Sequence, residues 1–291
     1  MKKFSILVFL FFYSLTVAAQ QQTTDWQEVE KVFGRKGTVQ GDVFKVTFPR
    51  SDLKVKVGEV SIEPGLALTS WIAFKQMGSH TMMMGDLVLL ESEISPVMNK
   101  LVSSGIKITA LHNHLVNESP GIMYMHFSGQ GDPLRLAEIM KSALAQTNTP
   151  LTAPKTQQSS PAVGWSKVES ILGWTGQRKG NLLQLSIPRA ETISENGMEI
   201  PLFMGMATAI NFQMVGEKAA TTGDFVLLGS EVNPVVKALT EHGIAVTAIH
   251  NHMLSESPRL FFLHFWGINE PETLARSLKA ALDKTNSAKK K

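Results

Sequence analysis

Six of the chain's eight histidines fall in two copies of one pattern. The stretch Gly105 to Gly129 reads G-I-K-I-T-A-L-H-N-H-L-V-N-E-S-P-G-I-M-Y-M-H-F-S-G. It returns 138 residues later as Gly243 to Gly267, so that His112, His114, Glu118, Pro120 and His126 answer to His250, His252, Glu256, Pro258 and His264. Imidazole is a common metal ligand and the usual proton carrier near neutral pH, so this spacing marks where chemistry would sit. His112 and His114 stand two apart in an extended segment, which points both to one face about 6 to 7 Å apart along the chain. Whether His126 joins them is a matter of parity. In an antiparallel pair, directly opposed residues share a face, so the numbers of opposed residues must sum to an even value.

Three converging imidazoles offer three neutral nitrogens and leave a position for water, a set that suits zinc first, then copper, manganese or iron. The expectation is therefore one divalent-metal site per repeat: His112, His114 and His126 in the first, His250, His252 and His264 in the second. Trp266 stands where the first repeat has Ser128, so the two pockets should differ in size. Glu118 and Glu256 are the candidate general bases of a metal-dependent hydrolase in which water on the ion is the nucleophile. The competing reading is a non-catalytic cell-envelope protein that binds a ligand in a cleft between domains. In that reading each histidine does no more than hydrogen-bond a loop carbonyl.

The pattern belongs to a duplication of whole domains. Trp26 answers to Trp165, Gly34, Gly37 and Gly41 to Gly173, Gly176 and Gly180, Pro49-Arg50 to Pro188-Arg189, Gly85-Asp86 to Gly223-Asp224, and Glu93 and Pro96 to Glu231 and Pro234. The offset falls from 139 to 138 within Ser51 to Leu68, where the second copy has lost a residue. Each copy, roughly 120 residues, is long enough for a core of its own. The expected organisation is a signal peptide (1–19), a first repeat domain (20–149), a linker (150–161), a second repeat domain (162–286) and a basic tail (287–291).

Within the first copy, a short helix over Asp25 to Phe33 should precede strands at Val43 to Phe48, Leu66 to Lys75 and Met83 to Leu90. A helix from Pro96 to Ser103, strands at Ile106 to Leu115 and Ile122 to Phe127, and a helix from Pro133 capped by Asp132 then follow. That order implies an α+β fold of two tandem homologous domains, each a mainly antiparallel sheet with helices on one face. The methionines Met82 to Met84, Met123 and Met125 have no full counterpart in copy two and read as core filler, not as copper ligands.

Lys2 and Lys3, an apolar run from Phe4 to Val17 and the small residues up to Ala19 have the form of a secretory signal peptide, which predicts a periplasmic or secreted protein. There are no cysteines, so there is neither a disulfide nor a lipid attachment site, and no transmembrane helix is expected in the mature chain. The 28 Lys and Arg against 25 Asp and Glu give a formal charge of +3. Setting aside Lys2, Lys3 and Lys289 to Lys291 leaves 23 against 25, with no basic stripe for nucleic acid. The expected partner is an envelope ligand or a small-molecule substrate. No glycine-rich phosphate loop or nucleophile elbow occurs. Asp86 and Asp224, each following a glycine, read as turn formers, and Arg50-Ser51-Asp52 as an exposed turn. His-x-His-x3-Glu opens the metal motif of cupin barrels, but a predicted helix interrupts the strands and His126 follows too soon to be the distant third ligand.

P-R-S-D-L-K-V (Pro49 to Val55), G-D-L-V-L-L-E-S-E-I-S-P-V-M (Gly85 to Met98) and T-A-L-H-N-H-L-V-N-E-S-P (Thr109 to Pro120), with their second-copy counterparts, resemble the LppY/LpqO family of exported bacterial proteins. The resemblance covers nearly all of the mature chain. It implies an extracytoplasmic protein with a duplicated domain and brings no established activity with it. That family's namesakes are lipoproteins, and this chain lacks the cysteine that a lipid anchor requires.

Overall fold

The computed structural model describes residues 25–152 and 164–288. The expected signal peptide, most of the expected linker and Lys289 to Lys291 lie outside these residues. The first repeat runs α1 (Trp26–Phe33), β1 (Thr38–Gln40), β2 (Val43–Pro49), β3 (Lys56–Val57), β4 (Val60–Ser61), α2 (Pro64–Ala67), β5 (Thr69–Met77), β6 (His80–Leu90), α3 (Glu91–Ser103), β7 (Lys107–His112), β8 (Glu118–Ser119), β9 (Ile122–Gly131) and α4 (Pro133–Leu144). The second runs α5 (Ser166–Leu172), β10 (Gln177–Lys179), β11 (Leu182–Pro188), β12 (Ser194–Glu195), β13 (Met198–Glu199), a 3-10 turn (Leu202–Met204), β14 (Ala207–Val215), β15 (Lys218–Leu228), α6 (Gly229–Glu241), β16 (Ala245–His250), β17 (Glu256–Ser257), β18 (Leu260–Asn269) and α7 (Pro271–Leu282).

Each repeat builds one antiparallel six-stranded sheet, in the orders β1-β2-β5-β6-β9-β7 and β10-β11-β14-β15-β18-β16. This is the α+β architecture expected from the sequence. Strand alternation sends Phe44, Val46, Phe48, Ile72, Phe74, Leu87, Met125 and Phe127 to one face, where they pack under the helices with Val29, Val97, Leu101 and Met140. The second repeat repeats this core with Leu183, Leu185, Ile187, Phe212, Phe225, Phe265, Leu239 and Leu278.

The opposite faces of the two sheets meet each other. Val43, Ala73, Met82 and Met84 pack with Ile193, Ile200, Met204, Met206, Val226 and Phe262 of the other repeat, so the methionines are core residues. Reciprocally, Val55, Val60, Ile62, Leu66 and Leu68 pack with Leu182 and Ala220. Each repeat's arm between its first and second long strands, β2 and β5 or β11 and β14, therefore reaches across to the partner repeat. The polar contacts obey the same exchange: Lys45 Nζ donates to the Phe203 carbonyl (3.0 Å) while Gln184 Nε2 donates to that of Gly65 (2.7 Å). Lys75 Nζ faces Glu199 O (3.4 Å), and Gln213 Nε2 donates to Ser61 O (2.7 Å). Lys45 and Gln184, Gly65 and Phe203, and Lys75 and Gln213 are equivalent positions, so the repeats are related by an approximate two-fold axis.

Several local expectations need correction. The strand expected over Leu66 to Lys75 is a helical turn, set by Pro64 at its first position, followed by β5 from Thr69. Helix α3 starts at Glu91, five residues before Pro96, because the Glu93 carboxylate caps its first turn by accepting from Leu90 N (2.9 Å). Strand β7 stops at His112. Arg50 is no exposed turn. Its guanidinium is fully buried and donates to Asp52, to Glu93 (2.7 Å) and to the Val88 carbonyl (2.6 Å). Arg189 repeats this with Glu191, Glu231 and Val226, which also fixes the alignment across the deleted residue.

Candidate metal centre

The parity condition is met through a β-bulge. Strands β7 and β9 pair Ile108 with Phe127, an odd sum, but after a register shift at Thr109 they pair Ala110 with His126 and His112 with Tyr124, an even sum. The second repeat shifts at Thr247 and then pairs Ala248 with His264 and His250 with Phe262. An extra residue in one strand turns every later side chain to the other face. The bulge thus lets Ile108 face the helices while His112 and His114 face inward beside His126.

The expectation of two separate clusters is corrected by the contact between repeats. Both triads lie on the facing sides of the two sheets and merge into one. His112 stacks on His250 with ring centroids 3.5 Å apart, His114 on His264 at 3.8 Å, and His126 on His252 at 3.7 Å. Exchanging each residue for its equivalent turns the second pair into the third and leaves the first unchanged, so the two-fold axis passes between His112 and His250. Asn113, the middle residue of His-Asn-His, helps to join the halves by donating to Thr247 O (3.1 Å), and Thr247 Oγ1 donates to His114 O (2.6 Å).

Two carboxylates complete the cluster. Asp86 lies directly opposite His126 across β6 and β9, and Asp224 opposite His264 across β15 and β18. Asp86 stands 3.8 Å from His126 Nε2 and 3.9 Å from His114 Nε2, and Asp224 stands 3.7 Å from His252 Nε2. These are corrections too, since neither aspartate makes a turn: Gly85 and Gly223 are mid-strand. A Cβ at Gly223 would come within 1.9 Å of Ala209 O, so only glycine allows the close approach of the neighbouring strand. The aspartates did carry a sequence signal. A carboxylate inside M-M-M-G-D-L-V-L-L is costly unless something partners it, and it recurs at the same place in the second copy.

Glu118 and Glu256, the expected bases, are held elsewhere. Glu118 accepts from Ile122 N (3.3 Å), and Glu256 accepts from Leu260 N (3.1 Å) and pairs with Arg259 (3.2 Å). Both close the turn of the hairpin, and neither lines the cavity described below.

The ring nitrogens decide what the cluster can do. His112 Nδ1 donates to Asn113 O (3.2 Å), His250 Nδ1 to Asn251 O (3.5 Å) and His264 Nδ1 to Gly223 O (2.8 Å). A ring whose Nδ1 donates to a carbonyl presents Nε2 as a lone pair, the arrangement that orients metal-ligating histidines. The Nε2 atoms of all six histidines are buried without a hydrogen-bond partner, as are Oδ1 of Asp86 and Oδ1 of Asp224. Ligand atoms of His112, His250, His252 and His264 lie within 4.8 Å of one another, and so do those of His112, His114 and His126. His112 belongs to both sets.

Burial governs the charges. It lowers His112 to about 3 and His250 to about 4, and holds His114, His126, His252 and His264 well below the ordinary imidazole value, with neighbouring imidazoles adding to the effect for all of these but His250. It raises Asp86 to about 7, against the pull of Lys45, and Asp224 well above its usual range. Burial lowers Lys45 itself to about 8. The imidazoles are thereby kept neutral, the form in which they ligate a metal.

A cavity of about 270 Å³ opens beside the cluster between the two sheets. Asp86, Asp224, His114, His126, His252 and His264 line it together with Lys45, Trp71, Gln184, Asn211 and the chain around Gly65 and Phe203.

Among known protein families, the one described as Domain of Unknown Function (DUF1259) matches residues 27–146 and again residues 166–284. The chain belongs to this family. The two matches agree with the duplicated fold. No curated protein matches. Solved structures that align with it include a trimeric bacterial microcompartment shell protein, PduB, at 13% identity over 84% of this chain and 87% of that one, with a TM-score of 0.22. Another is EtuB from Clostridium kluyveri, at 11% identity over 85% and 90% of the two chains, with a TM-score of 0.19. Scores this low carry no argument about fold or function.

Proposed function

We propose that this protein binds a divalent transition metal, zinc first, at a single centre shared by its two repeats. The observation that carries the reading is the convergence of six buried Nε2 atoms that lack protein partners. Each unpartnered buried polar atom costs about 1 to 3 kcal/mol. Six such nitrogens and two carboxylate oxygens would together cost about 8 to 24 kcal/mol, as much as a whole domain's net stability of about 5 to 15 kcal/mol. A cation offsets that cost for the group of ligands it takes, either His112, His250, His252 and His264 or His112, His114 and His126, whereas structural histidines would each need a separate partner.

Hydrolysis assisted by that ion is the finer reading, and the cavity beside the ligands favours it. Asp86 and Asp224, in place of Glu118 and Glu256, are then the carboxylates beside the reacting position. Export to the periplasm or medium is proposed from the signal-like residues Met1 to Ala19, and membership of the LppY/LpqO family from the three motifs that resemble it.

Elemental analysis tests the metal reading directly. Protein purified without chelator, offered zinc, copper, manganese and iron(II) and then desalted, should retain at least one of them in stoichiometric amount. Retention of none overturns it.

A further inference from the structure

The two-fold symmetry of the centre is broken on the cavity wall that adjoins it, where Trp71 lies directly opposite Asp86 across β5 and β6. Lys45 of β2 has Gln184 of β11 as its equivalent and Trp71 of β5 has Ala209 of β14, and all four line the cavity. Lys45 Nζ lies 4.0 Å from the centre of the Trp71 ring and gives one of its hydrogens to Phe203 O. An ammonium has three donors, so two remain for the cavity. Trp71 in turn packs on Gly205, where an added Cβ would come within 3.2 Å of the ring. The lysine is thus held by an aromatic platform that is itself fixed in place.

Lys45 is the one cation among the cavity's lining residues apart from the neutral histidines, and Asp86 and Asp224 are the anions. A single ammonium in the lining matches a single carboxylate on a ligand. A phosphate dianion would be served by clustered arginines, and the lining contains none. The volume is below the range of about 300 to 1,000 Å³ usual for drug-sized ligands.

We infer that the cavity binds a small organic monocarboxylate, with the carboxylate on Lys45, its body against Trp71 and its far end at the His-Asp cluster. This rests on the metal reading above. It assigns Lys45 and Trp71, which no metal ligation would require, to recognition of the substrate class.

Benzoate and its neutral isostere benzamide serve as probes for calorimetric titration of the full-length zinc-loaded protein, with zinc measured on the same samples. Benzoate should bind, and benzamide should bind about tenfold or more weakly, since a charge-assisted hydrogen bond contributes about that factor. Lys45→Gln, which installs the residue present at the equivalent position 184, should keep the zinc and lose benzoate by a similar factor. Wild type that holds zinc but binds benzoate no better than K45Q overturns the carboxylate inference and leaves the metal reading standing. Wild type that retains none of zinc, copper, manganese and iron(II) overturns both. Should K45Q fail to fold, wild type alone decides, because equal binding of benzoate and benzamide overturns the inference.

Discussion

Replacing both His112 and His114 by alanine separates one shared centre from two independent ones. Two independent triads would leave the second site untouched, so half the metal would remain at wild-type affinity. In the merged cluster His112 belongs to both groups of converging ligand atoms and stacks on His250 at 3.5 Å, so the substitution damages the whole centre. Four-ligand structural zinc sites bind with apparent free energies of about 10 to 16 kcal/mol, or about 3 kcal/mol per ligand. The four-histidine group loses only His112, which should cost about 3 kcal/mol, a roughly 10²-fold rise in Kd at about 1.4 kcal/mol per decade, while the group of His112, His114 and His126 is left with one ligand. Competition against a chromophoric chelator reads Kd, and elemental analysis reads stoichiometry. Half-occupancy with unchanged affinity would refute the shared centre. The metal-free variant should also be no less stable than metal-free wild type, because two unpartnered buried nitrogens are gone, and thermal unfolding in chelator checks that. His250→Ala with His252→Ala should behave alike.

Removing metal from wild type should lower Tm, while the same chelator should barely move the Tm of the double-alanine variant. Glu118→Gln and Glu256→Gln should leave metal content unchanged, since both carboxylates close hairpin turns; metal loss in either would return them to the site. Metal affinity should climb with pH towards about pH 7, because Asp86, raised to about 7, must lose its proton to face a cation, and Asp86→Asn should flatten that part of the profile. Arg50→Ala, which leaves Glu93 buried beside an unpaired charge, should destabilise the fold by about 3 to 5 kcal/mol in denaturant titration.

The duplication, the antiparallel sheets and the six histidines were legible in the sequence because each rests on local pattern: spacing, alternation and recurrence. The site's real form was not, for two physical reasons. The face on which His126 lies depends on a one-residue bulge at Thr109, and no residue type announces a bulge there. The merging of the two triads depends on which faces of the sheets are left over once the helices cover the others, and that is a property of the assembled halves. Asp86 was the nearest miss. Reading Gly-Asp as a turn gave the local preference priority over the cost of a carboxylate in an apolar strand, and the interior of β6 shows that cost to be the better guide. Arg50 was misjudged in the same way.

The axis between His112 and His250 has a consequence for how such a centre could arise. On the axis of a symmetric dimer, one histidine meets its own copy, and a single His-x-His strand with one further histidine and one aspartate supplies a full ligand set twice over. Fusion of the two copies into one chain keeps that set and frees the surroundings to diverge. The ligand positions are the same in both halves, whereas the second side of the cavity has Gln184 for Lys45 and Ala209 for Trp71. Restoring symmetry should thus affect the two functions unequally. The paired change Lys45→Gln with Trp71→Ala makes the first wall like the second and touches no candidate ligand. It should leave metal stoichiometry intact and remove discrimination between benzoate and benzamide. If metal is lost with it, the wall and the centre are one unit and the division of roles drawn here fails.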